Sequence, residues 1–538
     1  MEQLSPRPLG WWNRLPLIGA LIFVCLLLTH LRLLSLPYFW DEAGYYIPAA
    51  HDLFLRHQLI PTSTLTNAHP PVVMLWLALV WKVFGYHPVA TRIAMLGVST
   101  FTLLGVYRLA LQVSNSLVAA ASVICTALFP VFFAQSSLAH LDMAAAGFTI
   151  WGLAAYVRER YPETGSWFAL AALSKETAIL APLALFAWEL TALAVKKPWF
   201  QFRASRKTAW LLTPLAALTV WFGYHYRATG FVFGNPEFLR YNVSSTLHPV
   251  RIIAAFAQRL WQLFGYMNMF VLTIVATLAM SRKPLPIGDV PRNGDGDPSM
   301  LRPRIAVPVQ TTFAAIVIAY VFALSIVGGA VLARYLLPVY PLVIIIFVST
   351  IRRRLPMWQG FLAVVSFAFV LALIINPPYH FAPEDNLNYA AFVRLHQQAA
   401  DYLEKHQTEG RVLTAWPASD ELTKPYLGYV TRPIPIVRID DFSLPQIIAA
   451  RDQGDLYDSA LLFSTKYEPT SGFLIRLPLW EELQKGYFDY HSDLPPTAAA
   501  EMLGGRIAWE KKRDGQWAAV LQMDHAVDAQ LHRLVAKP

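Results

Sequence analysis

Tyr38-Phe39-Trp40-Asp41-Glu42-Ala43-Gly44-Tyr45-Tyr46 follows directly on an apolar run from about Leu15 to Leu36, in which His30 and Arg32 come only near the far end. A hydrocarbon core of ~30 Å takes about 20 apolar residues, so this run has the length of one crossing. The acidic pair is therefore expected where a membrane helix meets water. A carboxylate there costs less than at the bilayer centre, but two of them ringed by Tyr and Trp exceed what a solubilising cap needs. The pair marks a candidate site.

The rest of the chain is read outward from that exit. Of 538 residues, 55% are hydrophobic and 15% charged, with mean hydropathy +0.40; soluble domains carry about 25% charged residues. Apolar segments separated by short basic loops give a polytopic α-helical membrane protein. The net charge of +9 lies mostly in those loops, where it sets orientation, so no nucleic-acid partner is implied. Cys25 and Cys125 fall inside apolar runs, which implies neither a disulfide framework nor a cysteine metal site. The first run is too long for a signal-peptide core and is expected to stay as helix one.

Arg7 and Arg14 place Met1–Arg14 in the cytoplasm and Asp41 on the outer face. Residues 37–87 form a first outer loop, with an amphipathic piece near Ala49–His57. Within it, His69-Pro70-Pro71 opens an apolar stretch to Phe84. A span would put every later basic loop outside, so this stretch is expected to be interfacial or re-entrant. Crossings then fall near 88–111, 116–134, 143–157, a hairpin of two short helices in 167–195 with Lys175 near its outer tip, 208–226, 251–280, 308–328, 335–350 and 357–375. That makes roughly eleven crossings by the basic-loop parity. The inner loops carry Lys196, Lys197, Arg203, Arg206 and Lys207, then 281–305, then Arg352-Arg353-Arg354. From Asn376 the composition changes, and 376–538 reads as one soluble extracytoplasmic α/β domain. Its signals are a helix near 388–406, strands at Val412–Ala415 and Ala460–Phe463, and a hairpin around Arg513-Asp514-Gly515.

This topology collects Asp41, Glu42, Tyr45, Tyr46, His69, His140, Asp142, Lys175, Arg334 and Tyr335 on the outer face. Carboxylates come from two loops and cations from two others. Asp or Glu can take a proton from an acceptor hydroxyl. Lys and Arg can hold a leaving phosphate. Asp41 and Glu42 are the catalytic candidates. Tyr45, Tyr46, His69, His140 and Asp142 are candidates for binding substrate, and Lys175, Arg334 and Tyr335 for binding a donor phosphate. Simpler roles stand beside these: Asp142 as a helix cap, the tyrosines as an interfacial belt, Lys175 snorkelling.

Trp40-Asp41-Glu42-Ala43 with Tyr45-Tyr46, His69-Pro70-Pro71, Leu141-Asp142, Leu173-Ser174-Lys175-Glu176-Thr177 and Arg334-Tyr335-Leu336-Leu337-Pro338 follow one another over about residues 10–375. In that order they resemble the GT-C superfamily, specifically glycosyltransferase family 39, the dolichyl-phosphate-mannose protein mannosyltransferases. They are also similar to the bacterial aminoarabinose transferases of lipid A, which often have Lys where His69 stands. The resemblance implies a GT-C transmembrane domain over 1–375 and a first-loop Asp, here Asp41, as base. It associates Lys175 and Arg334 with the lipid phosphate, and it implies no metal and no cofactor. The implied reaction is inverting transfer of a sugar from a polyprenyl-phosphate donor to an acceptor hydroxyl of protein, lipid A or another glycan, at the outer face of a bacterial-type inner membrane. Mannose and aminoarabinose donors are both precedents. Two rival readings remain at this point. One is a polytopic lipid or solute transporter, for which no inverted repeat is evident. The other is a structural subunit that binds a partner through its C-terminal domain.

Overall fold

The computed structural model describes residues 15–195, 205–234, 246–286, 301–406, 410–467, 478–488 and 490–524, with a few isolated positions besides. The expected cytoplasmic Met1–Arg14, the basic residues Lys196, Lys197 and Arg203, and most of the 281–305 loop lie outside the described residues.

The helical part runs in order as α1 (Leu15–His30), α2 (Ile47–Arg56), α3 (Val72–Phe84), α4 (Pro88–Val113), α5 (Ser116–Leu128), α6 (Pro130–Gln135), α7 (Leu141–Val157), α8 (Tyr161–Ser174), α9 (Leu180–Ala194), α10 (Thr213–Thr229), α11 (Pro249–Phe264), α12 (Met269–Met280), α13 (Val307–Ile326), α14 (Tyr340–Arg354) and α15 (Trp358–Ile374). Among the described residues, four stretches are long and apolar enough to cross a membrane: Leu15–Leu33, Pro88–Val113, Pro249–Met280 and Val307–Ile326. Their outward faces are apolar, with Leu17, Leu21, Ile253, Ile274 and Ile318 exposed. Water would not tolerate that surface as a contiguous patch, whereas lipid does.

Two expected crossings are broken. The segment 116–134 is α5 and α6, because Pro130 holds Phe129 in an extended conformation (φ −60°, ψ 124°). The segment 251–280 is α11 and α12, parted where Met267 (φ 47°) and Asn268 (φ 63°) take the left-handed region. The hairpin with Lys175 at its turn is α8 and α9, but α8 starts earlier than expected, at Tyr161. α3 rises only about 20 Å at 1.5 Å per residue. It buries Val73, Leu77 and Trp81 against its neighbours.

Helices α4, α7 and α8 approach closely because glycines line the contact. A Cβ on Gly147 would lie 2.5 Å from Thr102 Oγ1, and one on Gly152 would lie 2.9 Å from the Phe168 ring. Small residues let backbones approach where lipid gives no hydrophobic drive.

The C-terminal part opens with α16 (Asn388–His406). It then forms a five-stranded sheet of β1 (Val412–Ala415), β2 (Ile436–Ile439), β3 (Ser459–Phe463), β4 (Gly505–Arg513) and β5 (Gln516–Met523), in the order β2-β1-β3-β5-β4. β1 is parallel to β2 and β3, while β5 is antiparallel to β3 and β4. The β4–β5 turn is Asp514-Gly515, both with positive φ (50° and 77°), the geometry that matches strand twist in a two-residue hairpin.

This unit shares an apolar core with the first loop. Phe39 packs on Tyr389 and Phe392, the Tyr429 hydroxyl donates to the Tyr38 carbonyl at 2.9 Å, and the Tyr86 hydroxyl donates to the Tyr426 carbonyl at 2.7 Å.

The first loop is itself tied down by a buried ion pair. Arg92, inside α4, donates to Glu42 Oε1 at 2.5 Å and Oε2 at 3.0 Å, and to the carbonyls of Ser137 and Pro37 at 3.0 and 2.7 Å. The Phe39 and Ala139 amides also donate to Glu42. Both side chains are fully buried. Arg92→Met strands a carboxylate in the interior and should cost about 3–5 kcal/mol, whereas the double variant Glu42→Gln/Arg92→Met should recover part of it. Thermal melts of the three proteins in one detergent decide this; an Arg92→Met protein as stable as the parent would rule the pair out as the loop's anchor.

Candidate active site

Asp41 sits where the first loop turns back on itself. Trp40 takes a left-handed conformation (φ 46°), and one π-helical turn, Glu42–Tyr46, leads into α2. A bulky residue in that region costs on the order of 1–3 kcal/mol and marks a backbone constrained by its surroundings. The turn sends the two neighbouring carboxylates apart: Glu42 inward to Arg92, Asp41 into a cavity of about 940 Å³.

Asp41, Tyr45, Tyr46, His69, Arg334 and Tyr335 line that cavity; Glu42, His140, Asp142 and Lys175 do not. Glu42, expected to be catalytic or to orient substrate, instead faces Arg92. Its two oxygens are occupied by a guanidinium and two amides, so it fixes the loop.

Arg334, in the turn Ala333–Leu336 before α14, is the centre of the charge network. It donates to Asp41 Oδ2 and, at 3.0 Å, to Glu384 Oε2. Its Nε faces Asp142 Oδ2 at 3.6 Å, each lacking a hydrogen-bond partner among the described residues. His140 Nδ1 lies 2.9 Å from Arg334 Nη1 and 2.7 Å from Gln135 Oε1. Lys175, in the extended link after α8, donates to Asp142 Oδ1 at 2.6 Å. Its Nζ stands 3.9 Å from the centre of the Tyr335 ring. His69 is engaged by the neighbouring Glu176 at 2.8 Å, and the Tyr46 ring lies 5.9 Å from both His69 and His140. The structure thus joins Asp41, Asp142, Lys175 and Arg334 in one network, with Lys175 behind Tyr335 rather than at the cavity surface.

Sequence reasoning missed Glu384 and Asp385, which sit in the turn Pro383–Asp385 between α15 and α16 and line the cavity. They lie past the compositional boundary, so they read as domain surface; their adjacency was the available signal. Asp385 accepts from the Tyr266 hydroxyl at 2.6 Å. Arg92 was also missed, although a charge inside a 26-residue apolar helix is a signal in itself. Among the described residues no group of three or more His, Cys, Asp or Glu side chains is arranged to hold a metal ion.

Burial pushes the Glu384 carboxyl up to about 8, against the pull of Arg334, and the Asp385 carboxyl up to about 7, against the Tyr266 hydrogen bond.

A carboxyl whose folded-state pKa is raised adds stability at low pH that is lost as pH rises through the folded value. The melting temperature of the parent minus that of Glu384→Gln should therefore fall as pH goes from about 5 to 9, by no more than a few kcal/mol of stability. A difference flat across that range would show that Glu384 keeps an ordinary pKa.

Residues 68–225 match the family model of dolichyl-phosphate-mannose-protein mannosyltransferase. The solved structure of ArnT from Cupriavidus metallidurans bound to undecaprenyl phosphate is similar at TM-score 0.51 and 12% identity, covering 95% of this chain and 98% of that one. The Archaeoglobus fulgidus oligosaccharyltransferase in complex with Zn and sulfate is more distant, at TM-score 0.44 and 12% identity over 83% of this chain and 67% of that one. Comparison with curated proteins finds no match. The match over 68–225 spans His69-Pro70-Pro71, Leu141-Asp142 and Lys175, three of the motifs quoted above. The chain is an integral membrane protein with the fold of ArnT, and residues 68–225 resemble the dolichyl-phosphate-mannose-protein mannosyltransferases in sequence.

Proposed function

We propose that the protein is an inverting glycosyltransferase that moves a sugar from a polyprenyl-phosphate donor to an acceptor hydroxyl at the outer face of a bacterial-type inner membrane. The observation that carries this is a carboxylate and a guanidinium meeting in the cavity wall, Asp41 against Arg334. Such a pair suits a reaction in which a proton leaves the nucleophile and negative charge grows on the leaving group. The family match supports the sugar chemistry, and the undecaprenyl phosphate bound by ArnT supports the lipid carrier.

In this scheme the donor phosphate takes the place of a carboxylate on Arg334. Asp41, released from that contact, accepts the acceptor's proton. The acceptor oxygen bonds to C1 of the sugar as the C1–O bond to phosphate breaks, and the bonding pair leaves with the polyprenyl phosphate. Arg334 holds that charge directly. Lys175, bridged to Arg334 through Asp142, adds positive potential from behind Tyr335. In a water-poor cavity such fixed charges act more strongly than in solvent. Tyr335 forms the face between Lys175 and donor. His69, held by Glu176, and Tyr46 line the floor by Asp41, while His140 supports Arg334. C-terminal residues complete the cavity from 376–538, and the N-terminus lies in the cytoplasm.

The test uses purified protein in nanodiscs with a polyprenyl-phosphate sugar. Asp41→Asn should keep its melting temperature within a few degrees and lose transfer by ~10²–10⁴-fold, the usual contribution of a general base. Full transfer by Asp41→Asn would sink the base assignment. Arg334→Gln should lose transfer by at least 10²-fold, on the order of one well-placed donor. Wild-type movement of lipid between leaflets with no glycosyl transfer would replace this reading by the transporter.

A further inference from the structure

The cavity has two walls of different chemistry. One is mainly apolar and built from the membrane part, with Ala257 and Trp261 of α11 and Val331 and Leu332 of the link after α13. The other carries aromatic and polar side chains from the first loop and the C-terminal unit together, Lys466 among them. Trp416, in the loop after β1, crosses the Trp40 ring at 5.1 Å and 79° and lies 5.7 Å from the Tyr45 ring. All three side chains are half-buried in the cavity wall. Gly44 makes the approach possible, since a Cβ there would stand 2.5 Å from the Trp416 indole nitrogen. Asn67, Thr465 and Gln484 line the same cavity. The Thr465 amide and hydroxyl both donate to Asp493, at 2.8 and 2.7 Å, which fixes that residue.

Asp41 follows Trp40 directly and reaches across to Arg334, so the seam between the walls is where proton and leaving group part. The apolar wall suits the isoprenoid of the donor. The opposite wall offers three aromatic rings, and the amides of Asn67 and Gln484 and the hydroxyl of Thr465 line the same cavity. Axial C–H groups of a pyranose pack on an aromatic face, while its equatorial hydroxyls need neutral hydrogen-bond partners. An extended peptide would instead need a row of backbone partners, and none of these cavity residues belongs to a strand. We propose that Trp40, Tyr45 and Trp416 form an acceptor subsite for a pyranose ring, so that the acceptor is a glycan and the C-terminal unit supplies the residue that selects it. This inference rests on the transferase reading above and adds the acceptor class to it.

The experiment is saturation-transfer NMR on the full chain in nanodiscs. The probes are methyl β-D-glucopyranoside, N-acetylglucosamine and a Ser/Thr-rich octapeptide, with undecaprenyl phosphate binding measured in parallel. Ring protons of at least one pyranoside should saturate. Trp416→Ala should weaken that binding about tenfold, Trp416→Phe should restore most of it, and neither should change undecaprenyl phosphate affinity, which also reports an intact fold. The inference is overturned if no pyranoside binds. Trp416-dependent binding of the peptide would instead indicate a protein acceptor, and loss of undecaprenyl phosphate affinity in Trp416→Phe would assign the rings to the lipid tail. Trp416-dependent pyranoside binding in a wild-type protein that neither binds the lipid phosphate nor transfers sugar would overturn the transferase reading and leave the subsite standing.

Discussion

The bidentate contact between Arg92 and Glu42 is the constraint on which the site depends. It joins a long membrane helix to the loop that follows the first one, and through Ser137 and Ala139 to the link before α7. Both charges are out of water, where an ion pair is tolerated only with its remaining donors and acceptors filled. Here they are filled by backbone groups of two segments, so the pair holds those two and α4 in one relative position. Asp41, one residue away, inherits that position. So does Asp142, because Ala139 stands just before the first turn of α7.

A second network is stacked on the first. Arg334 meets carboxylates from the first loop, from α7 and from the turn after α15, and Asp142 passes the connection on to Lys175. Without a ligand these acids neutralise the cations that a phosphate would need. In the proposed reaction a donor phosphate would displace the Asp41 carboxylate from Arg334, one anion for another, which keeps the buried charge nearly constant.

Much of this was legible in the sequence, for identifiable reasons. Basic loops report orientation, so parity alone put Asp41, Asp142, Lys175 and Arg334 on one side. Asp514-Gly515 announced its hairpin because both positions need positive φ. Other features left weaker marks or none. Pro130 marked the break at Phe129 but was read as part of a crossing. The break at Met267 and Asn268 had Gly265 just before it but no glycine at either left-handed position; the Tyr379 hydroxyl accepts from the Met267 amide there at 3.0 Å. The inward fate of Glu42 depends on an arginine 50 positions away in sequence, and local pattern carries no such information.

The adjacency of Asp41 and Glu42 is what gives the motif its physical sense. Successive side chains on a helical turn diverge by on the order of 100°, so one turn can send one carboxylate into the protein and the next into a cavity. The first must be buried and saturated for the second to be held in place while half-exposed beside a guanidinium. Exchanging the two would place the saturated group in the cavity and leave the reactive one without room to release its partner. A single acid could anchor the loop or take the proton, but not both, because anchoring fills the lone pairs that proton transfer requires.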